Sequence, residues 1–213
     1  MTSATGLVLM GGFNTPSGYK QFAFVGLDGR GSTIWTDDGA DTLVFAFSRL
    51  EAFLGNGNNT VYGSRQSDFI VGNDGNDHIM GGYGDDFISG GGGANFIDGG
   101  QGSDTILFGP MDFVRPGPDN DVLIYAPALG VTGRTYISGF EREDILRLSG
   151  VKESDLRIEG GDLVAKFAAG GDPPYVDEVH FGGIAQVVEL VGGIHAAVQA
   201  GMIQVDEFGW GKG

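Results

Sequence analysis

Residues 54–107 read LGNGNNTVY GSRQSDFIV GNDGNDHIM GGYGDDFIS GGGGANFID GGQGSDTIL, a nine-residue pattern repeated without a slip in register. The eighth position is always a branched apolar residue, namely Val61, Ile70, Ile79, Ile88, Ile97 and Ile106. The sixth position is always Asp or Asn, and half of the residues before it are glycines. One inward apolar residue per repeat predicts a short strand whose neighbours in a coil bury one row of side chains. The glycines predict the turns between strands.

The pattern extends towards the N-terminus in weaker form. Residues 36–44, TDDGADTLV, fit it with Asp41 and Leu43, and residues 27–35, LDGRGSTIW, fit it through Ile34. Residues 45–53, FAFSRLEAF, keep the nine-residue length but lack the glycine and the Asp of the loop. They predict a turn of the coil that has no metal-binding loop.

These residues resemble the repeats of the RTX (repeat-in-toxin) family, whose pattern is GGxGxDxUx with U a large apolar residue. The repeats from Gly72 to Leu107 match it closely, with Asn95 in place of one Asp. The resemblance implies an all-β fold, a right-handed parallel β-roll in which two nonapeptides make one coil and every second loop stacks on the same edge. It also implies Ca²⁺ as the cofactor, bound between stacked loops by position-six side chains and turn carbonyls.

The chemistry of that implied site is consistent with the residues. Ca²⁺ takes about six to eight oxygen ligands at about 2.3–2.6 Å, and a turn without side chains lets carbonyls converge. Stacked carboxylates about 5 Å apart would repel one another without a cation, which disfavours a metal-free roll. The candidate ligand side chains are Asp41, Asn59, Asp68, Asp77, Asp86, Asn95 and Asp104. The glycines expected to form the metal loops are Gly63, Gly72, Gly75, Gly81, Gly84, Gly90, Gly93, Gly99 and Gly102.

Stacking of every second loop predicts two unequal edges. Asp68, Asp86 and Asp104 would share one edge. Asp41, Asn59, Asp77 and Asn95 would share the other. Because the charge of the ligands tunes calcium affinity, the all-carboxylate edge is predicted to bind more tightly.

The end of the repeat predicts a change of architecture. Residues 109–120, GPMDFVRPGPDN, contain three prolines and no nine-residue register, so the regular roll is expected to stop near Leu107. We therefore predict an N-terminal cap over residues 1–26, the roll over 27–107 and a β-rich C-terminal cap over 108–213. The cap is expected to contain strands at 122–126, 135–140 and 176–181, a hairpin over 155–167 and short helices within 184–201.

The composition of the chain restricts which binding partners and which cellular location are expected. A formal net charge of −16 argues against nucleic acid, and the absence of Cys excludes disulfides and thiolate sites. The N-terminus does not read as a Sec signal, and no stretch is long and apolar enough to span a membrane. Residues 136–150, YISGFEREDILRLSG, are similar to the segment that follows RTX repeats, although Gly139 replaces its usual Asp. The resemblance implies a secreted bacterial protein, extracellular or on the cell surface, exported by a type I secretion apparatus that reads a C-terminal signal.

No motif in the chain predicts an enzyme. His78, His180 and His195 lack metalloprotease spacing, and no serine lies in G-x-S-x-G. Two interpretations stay open: a calcium-binding protein with a structural, adhesive or partner-binding role, or the folding and export module of a larger protease, lipase or polysaccharide epimerase. The start at Met1 favours the first, and further coding sequence upstream would favour the second. Outward Phe69 and Phe87 would stack on one edge and suggest a covering segment or a cell-surface, polysaccharide or protein partner.

Overall fold

The chain forms short strands that wind between two sheets. The computed structural model describes residues 7–10, 20–26, 32–36, 38–45, 48–126, 133–168 and 176–206. Its strands are β1 Leu7–Met10, β2 Lys20–Gly26, β3 Ser32–Trp35, β4 Asp41–Phe45, β5 Leu50–Phe53, β6 Thr60–Tyr62, β7 Phe69–Val71, β8 His78–Tyr83, β9 Phe87–Ser89, β10 Phe96–Gln101, β11 Thr105–Phe108, β12 Phe113–Arg115, β13 Val122–Tyr125, β14 Arg134–Ile137, β15 Ile145–Ser149, β16 Leu156–Glu159, β17 Asp162–Ala168, β18 Val176–Gly182 and β19 Ile203–Asp206. The helices are α1 Ala185–Leu190 and α2 Ile194–Gln199.

Successive strands through the repeats alternate between the two sheets. The first sheet has the order β1-β2-β4-β6-β8-β10-β12-β14-β18-β17-β16, and the second has the order β19-β15-β13-β11-β9-β7-β5-β3. All pairs in the second sheet are parallel, as are those from β2 to β18 in the first. Two strands, one from each sheet, complete a coil. The predicted parallel β-roll is confirmed.

Position eight of the repeat builds the core. In the first sheet Val61 pairs with Ile79 and Ile79 with Ile97, whereas Ile70 pairs with Ile88 in the second. All five side chains have no exposed surface. Burying each branched side chain contributes on the order of 1.5–3 kcal/mol. The two columns therefore hold the sheets together along the length of the roll.

The expectation that the roll stops near Leu107 is wrong. Strand β12 pairs in parallel with β10, and β13 pairs in parallel with β11, so coils continue through the proline-rich segment. Val114 and Leu123 carry on the two buried columns with no exposed surface. Strands β14, β15, β18 and β19 extend the same stacks. What ends at Leu107 is the nine-residue spacing, while the parallel pairing survives loops of other lengths.

The last part of the chain closes the roll. Strands β16 and β17 form the predicted antiparallel hairpin, which turns at Gly160 and Gly161 and pairs with β18. Helices α1 and α2 are the short helices predicted within 184–201, and they lie on either side of Gly192 and Gly193. Apolar residues of this region, such as Phe181 and Val188, join the buried core. Among the described residues, no helix is long and apolar enough to cross a membrane.

Outward aromatic side chains stack along both sheets. The ring centroids of Phe69 and Phe87 lie 4.7 Å apart, with an angle of 5° between the ring planes. Those of Phe96 and Phe113 lie 5.3 Å apart, with an angle of 4° between the planes. The spacing follows from the distance between parallel strands. These half-buried rings face one another along the roll axis and so stabilise the stack of coils. The interpretation of this surface as a partner-binding face stays a prediction.

Candidate metal sites

Side chains at position six are buried and bonded to the backbone of the preceding coil. Asp86 is 2% exposed and Asp104 is 1% exposed. The Asp68 N–H donates to Asp86 Oδ1 at 2.7 Å, and the Asp86 N–H donates to Asp104 Oδ1 at 2.8 Å. A buried N–H at this point of the turn would otherwise lack an acceptor, because the strand ladder begins only at the next residue. Each acidic side chain thus links two coils.

The first set of these bonds forms the carboxylate row, which contains Asp68, Asp86, Asp104, Asp121 and Asp144. The predicted stacking of the first three residues on one edge is confirmed. The row continues beyond the repeats, since the Asp104 N–H donates to Asp121 Oδ1 at 2.8 Å. The Asp121 N–H then donates to Asp144 Oδ1 at 3.0 Å.

The second set forms the mixed row, which contains Asp41, Asn59, Asp77, Asn95 and Asp112. Asn95 Oδ1 accepts the Asp77 N–H at 2.9 Å, so the amide nitrogen of Asn95 must face the loop. Asn59 is oriented in the same way, and its Nδ2 donates to the carbonyls of Gly55 and Gly57 at 3.1 and 3.2 Å. In that loop an amide N–H occupies the carbonyls that a cation would need.

The second carboxylate oxygens fall into two classes. Open oxygens, defined as buried Oδ2 atoms with no hydrogen-bond partner in the part of the chain described, occur in Asp77, Asp86, Asp104 and Asp121. Capped oxygens accept a backbone N–H from their own loop. They occur in Asp68, Asp112 and Asp144, with Ser64, Gly109 and Glu141 as donors at 2.6, 2.7 and 2.7 Å. A buried carboxylate oxygen without a donor is costly unless a cation binds it.

Glycine at position one makes room for these open oxygens. A Cβ built on Gly81 would overlap both Asp86 Oδ2 and the carbonyl oxygen of Gly99 in the next coil. A Cβ on Gly72 would fall 2.5 Å from Asp77 Oδ2. The space that a methyl group would fill is thus already bounded by a carboxylate oxygen and a carbonyl oxygen. This convergence of oxygens is what a Ca²⁺ site requires.

Glycine at position four has a different role. Gly75 and Gly93 have φ of 145° and 111°, which residues with a side chain rarely adopt. The backbones of stacked loops also approach each other closely, so a Cβ on Gly93 would overlap the Gly75 carbonyl. Position four therefore sets the shape of the loop, and position one opens the cradle.

Burial and repulsion between neighbouring carboxylates raise the pKa of Asp side chains in both rows. Loss of solvent raises the pKa of Asp86 to about 8, with the charges of Asp104, Asp68 and Asp85 adding to the rise. Burial raises the pKa of Asp104 to about 7 and that of Asp77 to about 6. A bound cation would reverse this balance by favouring the ionised form.

Carboxylates alone cannot complete such a site. Within the described residues, no three side chains from His, Cys, Asp and Glu converge as a metal cluster. The ligand set must therefore draw on backbone carbonyls, which the glycine cradles supply. Hard oxygen donors of this kind suit Ca²⁺ and not Zn²⁺ or other softer ions.

Sequence reasoning missed three members of the rows, Asp112, Asp121 and Asp144. Each lies directly before a strand and two residues before a buried apolar residue, as Asp121 lies before Leu123. The D-x-U end of the repeat is therefore kept where its glycines are lost. That shorter signal could have located all three residues.

The histidines belong to separate polar contacts. His180 Nδ1 lies 3.5 Å from Asp162 Oδ2, and Arg134 bonds the other Asp162 oxygen at 2.5 Å. His195 Nδ1 lies 2.8 Å from Glu153 Oε1 at the surface. Glu178 Oε2 lies 2.9 Å from Arg157 Nη2 and forms an ion pair with it.

Comparison with known families identifies the repeat. Residues 53–82 and 71–106 match the family model of the RTX calcium-binding nonapeptide repeat, in four copies. A search of curated proteins gives no match to the chain. The matched residues include the open oxygens of Asp77, Asp86 and Asp104, so the family's calcium chemistry and the geometry of the loops agree.

Proposed function

Because the chain carries RTX calcium-binding nonapeptide repeats, we propose that it is a secreted protein whose folding is driven by calcium outside the cell. The observation that supports this most directly is the set of buried open oxygens in Asp77, Asp86 and Asp104. The formal net charge is −16, and in the absence of calcium each buried carboxylate destabilises the folded chain through desolvation and charge repulsion.

The energetics favour coupled binding and folding. A ligand that binds only the folded state stabilises it by about 2.7 kcal/mol per site at a hundredfold excess over Kd. Several such sites amount to a large share of a stability of about 5–15 kcal/mol. Extracellular calcium modules bind with Kd of about 10⁻⁴–10⁻³ M, so the chain would stay unfolded at low calcium and fold on meeting the external concentration. This order of events suits export by a type I secretion apparatus.

Circular dichroism and thermal unfolding in chelator and in millimolar calcium test the coupling. We expect the β signal to be lost, or the unfolding temperature to fall sharply, in chelator. Magnesium at equal concentration serves as the control, since Mg²⁺ requires smaller, near-octahedral sites. Identical spectra and unfolding temperatures in chelator and in calcium would refute the proposal.

The proposed role is structural, adhesive or partner-binding rather than enzymatic. In the described clusters His180 contacts the buried carboxylate of Asp162 and His195 contacts Glu153 at the surface, and neither cluster contains a nucleophilic side chain bonded to the imidazole. The outer faces of the two sheets, with their stacked side chains, instead offer an extended surface. Calcium-dependent retention of the labelled protein on cells of the producing bacterium would support this role. Equal retention in calcium and chelator would contradict it.

A further inference from the structure

We propose that the coil of residues 54–71 binds no calcium and stays folded without it, so that calcium-dependent order begins only at Gly72. This closed coil contains strands β6 and β7. It lies inside the segment that matches the calcium-binding repeat, which begins at residue 53, so the family alone would assign it metal loops. The inference rests on the calcium-coupled folding proposed above and limits it to the later coils.

A large apolar side chain fills position one of the closed coil. Leu54 and Gly72 stand at the same point of successive coils, where each donates its N–H to the last residue of the next strand in its sheet. A Cβ on Gly72 would fall 2.5 Å from Asp77 Oδ2, so a Leu side chain at this point occupies the cradle. Leu54 is 1% exposed and belongs to the core, and Phe45, at position one of the preceding repeat, is also buried. Apolar burial thus replaces the glycine of a calcium loop.

An amide closes the first loop of this coil. Asn59 Nδ2 donates to the carbonyls of Gly55 and Gly57 at 3.1 and 3.2 Å, so the chain itself occupies the oxygens that a cation would bind. An amide at position six does not close a loop unaided. Asn95 follows Gly90 in its repeat, and its Nδ2 has no partner within the described part of the chain. Closure at Asn59 therefore accompanies the loss of glycine at position one.

Donors of the chain also satisfy the carboxylate of the second loop. Asp68 Oδ1 accepts the Leu50 N–H at 2.6 Å and the Ser64 hydroxyl at 2.9 Å, and its Oδ2 accepts the Ser64 N–H at 2.6 Å. Burial raises the pKa of Asp68, and the positive charge of Arg49 acts against this rise. Hydrogen bonds to an ionised carboxylate are among the strong ones in proteins. At Asp68 these donors and the Arg49 guanidinium stand in place of a metal ion.

The arrangement changes at Gly72. Every position-one residue from there to Gly99 is glycine, and the open oxygens of Asp77, Asp86 and Asp104 follow. Without a cation these coils hold buried carboxylate oxygens that lack donors, which is costly, whereas the closed coil supplies its own donors. We therefore expect the closed coil to stay folded in chelator on the strands that precede it.

Hydrogen exchange of the full chain, followed by mass spectrometry in chelator and in calcium, tests the boundary. Amides of β5, β6 and β7 should be protected in both conditions. Amides of β8 to β11 should lose their protection in chelator, because the loops before these strands contain the open oxygens. The step in protection should fall between Val71 and His78.

Two matched substitutions separate the segments in chelator. Leu54→Ala and Ile88→Ala each shorten a branched apolar side chain, 1% exposed in the first case and fully buried in the second. Leu54→Ala should remove the protection of β5 to β7 by opening a cavity in the closed coil. Ile88→Ala should leave that protection unchanged, because β9 is already unfolded in chelator. Equal losses of protection in β5 to β7 for the two variants would overturn the boundary.

The wild-type chain distinguishes failure of this inference from failure of calcium-coupled folding. Uniform loss of protection along the whole chain in chelator would overturn the inference and leave calcium-driven folding intact. Protection of the whole chain in chelator would overturn both. An anomalous scattering peak from calcium beside Asn59 or Asp68, in crystals of the full chain grown in calcium, would also reject the closed coil, whatever the variants do.

Discussion

Replacing Asp86 by Asn should change stability in opposite directions with and without calcium. The Asn amide oxygen can still accept the Asp68 N–H, as Asn95 does for Asp77 in the mixed row. The substitution therefore removes a charge and the open oxygen while keeping the bond between coils. In chelator the fold should become more stable, because it no longer has to keep a buried carboxyl group protonated, and in calcium the loss of a ligand should destabilise it.

The magnitude follows from the burial of the carboxylate. Desolvation raises the pKa of Asp86 to about 8, so at neutral pH the calcium-free fold must hold this group protonated, against its tendency in the unfolded chain. That mismatch costs at most about 4 kcal/mol at pH 7, which Asn would recover. In calcium, losing one site at a hundredfold excess over Kd should cost about 2.7 kcal/mol.

Urea unfolding of Asp86→Asn and wild type, each in chelator and in saturating calcium, measures both effects. Asp85→Asn is the matched control, because Asp85 is exposed and its bond to the Ser103 N–H survives in the amide. We expect the control to shift stability by less than about 0.5 kcal/mol in either condition. A change of the same sign for Asp86→Asn in both conditions would contradict the role assigned to its open oxygen.

Asp86→Ala should lower calcium affinity more than Asp77→Ala, because Asp86 lies between two carboxylates and Asp77 between two amides. Equal losses of calcium affinity in titration calorimetry would refute the difference between the rows. Gly81→Ala should abolish a calcium site, since its methyl group would overlap Asp86 Oδ2 and the Gly99 carbonyl, and an unchanged calcium count would count against the cradle. Without calcium, the free energy of unfolding should fall as pH rises from about 5 to about 8. Burial raises the pKa of Asp86, so in this range the folded state holds more protons than the unfolded state. A free energy of unfolding in urea that rises with pH over this range would contradict this. Ile88→Ala should cost about 2–5 kcal/mol in calcium by opening a cavity between coils, with calcium stoichiometry unchanged, and a loss of bound calcium would show that core and loops are not separable.

The structure also shows why the repeat pattern marks only part of the roll. A coil needs a buried apolar residue in each strand and an acceptor for the N–H at the end of each loop. Asp121 and Leu123 meet both needs in a segment whose prolines and altered spacing read as a break. Loop length is free to vary because the parallel strands, and not the loops, set the distance between coils.

The sequence by itself determined where the short strands and turns of the repeats lie, through one apolar residue every nine positions with Asp or Asn two residues earlier. The parallel roll with its two edges and the calcium chemistry were implied by the resemblance of that pattern to RTX repeats. Tertiary structure alone decided which carboxylate oxygens are open. Asp68 and Asp86 occupy the same position of the repeat. The Ser64 N–H donates to Asp68 Oδ2, whereas Asp86 Oδ2 has no donor among the described residues. Whether an Oδ2 atom accepts a backbone N–H depends on the conformation of its own turn and on the backbone of the next coil. The spacing of residues within one repeat does not encode either of these.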